Sequence, residues 1–352
     1  NLSSEETSYQ EITISNSGQM DLTIDIDPFG YYWKDNNDET VDYSWVDIST
    51  DNSTLTFPHN DEAANEVIYF PFDFPFYNNL YSTCIVNANG WVGFGDDSNA
   101  WENLGLPNSN APRNAIFPFW DDLNPINNAN STNMDGYVRY HVTEERVVIW
   151  FDNVRRWTGG SNMDGYFDFQ IILFPDGVFE FNYRNMTGDI NSSTIGFQNE
   201  SADSGINISI NQNFVQNLMS LKIKGKPSWL TISPLSLNLE PGESDQINLN
   251  FDSSVIPAGN YDYVLSLKTN DFHFPNIEVP IILEIDDLPC NGALLGDLNQ
   301  DQLWNVLDVI LIVNVILYNT DDECEFYIAD INSDQSINVL DIVAVINVIL
   351  DE

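Results

Sequence analysis

Two stretches near the C-terminus carry oxygen ligands at matched spacing. In "GDLNQDQLWNVLD", Asp297, Asn299 and Asp301 stand at loop positions 1, 3 and 5. Leu303 offers its backbone carbonyl at 7, Asn305 stands at 9 and Asp308 at 12. Offset by 33 residues, "ADINSDQSINVLD" repeats the set with Asp330, Asn332, Asp334, the carbonyl of Ser336, Asn338 and Asp341. Alternate residues point inward as such a loop curls, and hard oxygen donors at this spacing suit Ca2+, so two ions are expected. Gln302 and Gln335 occupy position 6, where glycine normally supplies a positive φ; each should cost about 1 kcal/mol. Trp304 and Ile337 at position 8 are expected to join the loops through a short β-bridge. The acidic side chains of so small a unit repel one another until neutralised, so calcium should also drive its folding.

The rest of the chain must carry and position these loops. With 352 residues, 43% of them hydrophobic and 13% aromatic, it is long enough for two or three domains with real cores. Its 54 acidic residues against 11 basic give a net charge of −43. That surface repels nucleic acid and anionic membrane, because phosphate binding needs clustered Lys and Arg. No apolar run reaches the ~18–20 residues of a spanning helix, so no membrane insertion is expected. Cys290 and Cys324 bracket the first acidic loop and its helix; a disulfide between them would contribute roughly 3–4 kcal/mol. Cys84, in the strand-like "STCIVNANGWVGFG", reads as a buried free thiol. These cysteines favour an oxidising, secreted or cell-surface setting. Sequons at Asn1, Asn52, Asn130, Asn185, Asn191, Asn199 and Asn207 are compatible with a glycoprotein there. A chain beginning with Asn also reads as a processed product.

Before residue 288 the pattern is β. "GYVRYHV", "RVVIWFDNV", "FDFQIILF" and "VFEFNYRNM" are short runs rich in β-branched and aromatic residues, alternating with polar ones. "FPDG" between the last two is a turn, with Pro presetting φ and Gly supplying a positive φ. "NMDGY" occurs at 133–137 and again at 162–166, and two similar turns are expected there. From Pro227 to Ile285, turn signals separate strands at roughly 10-residue spacing, the pattern of a β-sandwich.

Three resemblances organise these segments. "PAGNY", "LKTND" and "VPIILEI" resemble Ig-like modules of secreted bacterial proteins, whose opening strands look like "ETSYQEITISNSGQMDLTIDI" at 6–26 of this chain. The economical reading is one Ig-like β-sandwich split into residues 1–28 and 222–287, with an inserted β-sandwich domain at 29–221. "YSWVDIS", "FPFDFPFYNNLYSTCIVNANGWVGFG", "NAIFPFWDDLNP" and "STIGFQNESAD" of that insert resemble accessory modules of secreted peptidases, with a nidogen-like flavour. Residues 294–351, within a unit at 288–352, resemble a type I dockerin, in which two calcium loops are each followed by one helix and entering helices are absent. The resemblance implies two Ca2+ ions and a cohesin-like protein as partner. Val306, Leu307, Val339 and Leu340 then fall at the partner-reading loop positions 10 and 11.

Other chemistry is weaker. Paired carboxylates such as Asp121 and Asp122 of "FWDDL" can serve as acid and base in glycoside hydrolysis, but neighbours on a strand face opposite ways, so a solvated turn or a calcium-stabilised loop is expected. Trp33, Trp45, Trp91, Trp120 and Trp150 read as core, while Trp101 and Trp157 are placed for exposure and could stack on a carbohydrate. Arg155 and Arg156 should pair with local carboxylates. His59, His141 and His273 form no metal-ligand spacing, and no motif for a nucleophile, a zinc site or a phosphate loop is present. The expectation is therefore a mainly β, non-catalytic, secreted calcium-binding protein for extracellular assembly or adhesion. Its rivals are an accessory region of a secreted peptidase or glycoside hydrolase, and a self-assembling subunit completed by strand exchange.

Overall fold

The computed structural model describes residues 2–3, 7–50, 52–58, 62–77, 79–95, 99–125, 136–159, 162–256, 259–286, 294–318, 320 and 322–351. The chain is mainly β, with its α-helices at the C-terminal end, and it divides into two compact units, residues 27–227 and residues 1–26 with 228–352.

In the larger unit the four runs singled out above pair in succession as Tyr137–Val142, Val147–Gly159, Asn162–Leu173 and Phe179–Thr187. Period-2 alternation decides which face is buried. Phe167, Phe169, Ile171 and Leu173 face the core, whereas Asp168 and Gln170 face away from it. The turn after Leu173 is closed by the Gly177 N–H on the Phe174 carbonyl at 3.0 Å, with Gly177 at φ +84°. Met219–Lys224 and Tyr32–Asp35 extend this sheet at one edge and Ser53–Thr54 at the other, and Leu123–Asn124 pairs with Val147–Gly159, for eight strands among the described residues. A six-stranded sheet runs from Gly205–Ile210 through Thr194–Gln198, Ala115–Trp120, Trp91–Gly93 and Asn79–Asn87 to Ile68–Phe76.

The two sheets share one core rich in phenylalanine. Phe119 of the six-stranded sheet stacks on Phe167 of the eight-stranded one at 5.0 Å, and Phe151 lies on Phe169 at 4.6 Å. Each such ring contributes roughly 1.5–3 kcal/mol by leaving water, before entropy is set against it. Cys84 is a buried, free thiol in this core, and burial raises its pKa. A smaller cluster on the other side of the six-stranded sheet contains Trp91, Trp120 and Phe117; the Ala100 carbonyl accepts both indole N–H groups, at 3.2 and 3.0 Å. The segment around Trp45, Val46 and Ile48 covers part of the outer face of the eight-stranded sheet, against Val148, Trp150 and Ile172.

In the second unit, Thr7–Ser15 pairs in unbroken register with Ser244–Asp252, whose far side takes Leu230–Ser233. The other sheet runs Ser236–Leu239, Leu22–Ile26, Gly259–Thr269, Asn276–Asp286 and Leu2–Ser3. Strand Leu22–Ile26 thus lies between partners more than 200 residues away in sequence. Ile24, Ile26, Leu265, Leu267, Ile281 and Leu283 are buried on one sheet, and Ile247, Leu249 and Phe251 on the other.

Among the described residues three α-helices close the unit: α1 (Val306–Tyr318), α2 (Glu323–Ala329) and α3 (Val339–Asp351). Ile312 and Val315 of α1, Ala329 of α2 and Val345 of α3 form their shared core. Helix α2 was not expected. It enters the second loop directly, capped by the Asp322 carboxylate, which accepts the Cys324 and Glu325 N–H groups at 2.8 and 3.2 Å. Among the described residues no helix is long and apolar enough to cross a membrane.

Candidate metal centre

Each acidic loop is wound around its first and last carboxylates. Asp297 accepts the Asp301 N–H at 3.2 Å and the Gln302 N–H at 2.8 Å. Asp308, the last ligand position and the third residue of α1, reaches back to the Asn299 N–H at 3.3 Å and the Asn305 N–H at 2.9 Å. Asn299 accepts the Asp301 N–H, Asp301 the Leu303 N–H and Asn305 the Leu307 N–H, each at 2.8–3.0 Å. The second loop repeats these bonds one for one. Asp330 accepts Asp334 and Gln335, Asp341 accepts Asn332 and Asn338, and Asn332, Asp334 and Asn338 accept the N–H two residues on. Gln302 and Gln335 both sit at φ +66°, the left-handed conformation their position demands.

Burial separates the ligand positions. Asp308 and Asp341 are 0% exposed and Asp297 and Asp330 nearly so, while Asp301 and Asp334 stay at the surface. No Lys, Arg or His follows His273 in the sequence, so no side chain of this segment can neutralise four buried carboxylates. Among the described residues no three His, Cys, Asp or Glu side chains gather at metal-binding distance. In each loop the carboxylate oxygens lie against backbone N–H groups, and the remaining donors are amides and carbonyls. A set made only of hard oxygens fits Ca2+ and would poorly hold a softer ion.

Trp304 and Ile337 form no β-bridge among the described residues. Trp304 instead donates its indole N–H to the Leu295 carbonyl at 2.9 Å, and Ile337 packs into the helical core. Val306, Leu307, Val339 and Leu340 are all exposed, two at the start of α1 and two at the start of α3. Cys324 is disulfide-bonded; Cys290, its expected partner, lies outside the described residues, as do His59 and Asn130.

In the larger unit Asp121 is not in a solvated turn. It is 7% exposed, accepts the Ser192 hydroxyl at 2.6 Å, and pairs with Arg156 at 3.3 Å. Arg156 also reaches Asp164 and Asp189, at 3.4 and 3.5 Å, and donates to Ser192. Burial raises the Asp121 pKa, opposed by Ser192, the Asp122 N–H and Arg156. Asp168 is raised by burial too, opposed by Arg184 at 2.6 Å and by the Trp150 indole N–H at 2.7 Å. Sequence reasoning missed both pairs, because Asp121 meets partners 35 and 71 residues away. Of the tryptophans, Trp91, Trp120 and Trp150 are buried, Trp33 and Trp45 pack against the cores, and Trp101 and Trp157 are exposed.

Two sheets closed on one aromatic core define the larger unit as a β-sandwich-like module. Residues 35–228, more than half of the chain, match the NIDO-related family, and the chain belongs to it. No curated protein and no solved structure gives a significant match.

Proposed function

We propose that this is a secreted, non-catalytic calcium-binding protein of extracellular or cell-surface assembly. In this reading its NIDO-related domain is carried within a split Ig-like sandwich, and its dockerin-like C-terminus holds two Ca2+ ions, one per loop. The observation that carries the reading is the burial of Asp297, Asp308, Asp330 and Asp341 in a segment without a basic residue. An unpaired carboxylate withdrawn from water costs several kcal/mol unless a cation accompanies it. Asp297, Asn299, Asp301, the Leu303 carbonyl, Asn305 and Asp308 would hold the first ion, and Asp330, Asn332, Asp334, the Ser336 carbonyl, Asn338 and Asp341 the second.

Calcium would neutralise the loops and fix α1 and α3, which present Val306, Leu307, Val339 and Leu340 as paired apolar contacts. A cohesin-like or other extracellular protein with an apolar face is the partner this arrangement fits. Calorimetric titration of the full chain with Ca2+ tests the reading. About two sites are expected, with one lost in Asp308→Ala and the other in Asp341→Ala; absence of calcium binding sinks it.

A further inference from the structure

The repeated "NMDGY" motif builds one feature that the calcium loops leave unexplained. Its second copy does not form a turn; it opens the strand Asn162–Leu173. Asp164 points inward to Arg156. Gly165, at φ +60°, makes a bulge opposite Arg155, and a Cβ there would lie 2.0 Å from the Thr187 carbonyl oxygen. The residue count on that strand shifts by one, and Tyr166 is thrown onto the outer face of the eight-stranded sheet. There it is 49% exposed, pinned by two hydrogen bonds between its backbone and the Thr187 hydroxyl. The Arg155 guanidinium lies 5.3 Å from its ring centroid.

The first copy ends in a matching way. Gly136 is at φ +114°, with the Asn153 carbonyl oxygen 2.6 Å from where a Cβ would be, and Tyr137 lies under the Arg139 guanidinium at 4.6 Å. Val138 is buried in the shared core, so Tyr137 and Arg139 take the same outer face. Each copy therefore sets one tyrosine–arginine stack beside the strand Val147–Gly159, Tyr137 on one side and Tyr166 on the other. Trp157, two residues beyond Arg155 on that strand, turns the same way and is 38% exposed.

We propose that Trp157, Tyr166 and Arg155, with Tyr137 alongside, form a binding platform for a neutral polysaccharide. Aromatic faces accept the C–H faces of pyranose rings, and guanidinium groups fixed over those rings donate hydrogen bonds to hydroxyls. A polymer suits two similar stacks on one sheet face better than a single compact ligand does. A net charge of −43 disfavours uronate or sulfated chains. The site does not rest on the calcium reading and survives its failure.

Affinity electrophoresis of the full chain in gels containing soluble xyloglucan, galactomannan or mixed-linkage β-glucan tests the platform, with polygalacturonate as the anionic comparator. Retardation by at least one neutral polymer is expected. It should weaken about tenfold or more in the Trp157→Ala, Tyr166→Ala double variant. Trp157→Phe should keep most of the binding, and Trp101→Ala all of it. No retardation in any neutral gel, retardation by polygalacturonate alone, or undiminished binding by the double variant would each overturn the proposal. Near-UV circular dichroism confirms that the variants are folded, and should the double variant unfold, the contrast between Trp157→Ala and Trp157→Phe decides.

Discussion

The NIDO-related domain and the C-terminal loops both bury carboxylates, and they treat them differently. Inside the domain, Asp121 faces Arg156 and Asp168 faces Arg184, so each buried charge meets a guanidinium of the same unit. In the loops, Asp297, Asp308, Asp330 and Asp341 are buried in a segment that has no Lys, Arg or His. The first arrangement is complete when the chain folds. The second, on the reading proposed here, is complete only when the medium supplies calcium. On that reading one protein contains a self-sufficient fold and a conditional one.

Removing calcium should separate them most sharply. Chelation is expected to abolish the helical circular dichroism of α1–α3, while the near-UV signal of the aromatic core persists. A metal at 100 times its dissociation constant adds about 2.7 kcal/mol per site, or about 5.4 kcal/mol for two such sites. Loss of both signals together would erase the proposed distinction. Next in size is Arg156→Ala, which strands Asp121 and leaves Asp164 and Asp189 without their shared cation. Breaking a buried pair costs about 3–5 kcal/mol, or on the order of 10 °C in the melting temperature of the larger unit. That loss should be the same with and without chelator.

Acid should divide the units again, with a smaller effect. Burial lifts the folded-state pKa of Asp121 and Asp168 above the ordinary value of about 3.9, so the native domain holds those protons more tightly than the unfolded chain. Their contribution to stability therefore rises as pH falls through the raised values, and is complete below about 4. On the proposed reading the loops move the other way, because protons compete with a metal ion for its oxygen ligands. Melting curves with calcium between neutral pH and pH 4 should show the helical signal lost first, and the reverse order would break the comparison. The smallest change is Gln302→Gly with Gln335→Gly. Each removes a side chain from φ +66° and should gain about 1 kcal/mol, roughly fivefold in calcium affinity at that loop.

Much of the β architecture was legible because its signals are local. The four runs of the meander alternate with period 2, and "FPDG" turns where Gly177 takes φ +84°. The final helices follow from the change of period after Asn305 and Asn338. What escaped was set by distant or cooperative effects. Asp121 looked solvated because Ser192, which donates to it, is 71 residues away. "NMDGY" at 162–166 looked like a turn because its glycine's positive φ serves a bulge within a paired strand. Helix α2 is seven residues long, too short for its periodicity to stand out from "DDECEFYIA". The alternating face that carries Tyr166 and Trp157 could be read only once the bulge had fixed which way each side chain turns.

The thiol of Cys84 gives the larger unit a chemical clock. It is free, lies in the core at 1% exposure, and can meet a soluble alkylating reagent only when the sheets around it part. Its labelling rate counts openings of that unit without any engineered probe. The same measurement shows whether an event at the acidic loops of the other unit, or a polymer on the outer face, is felt inside the fold.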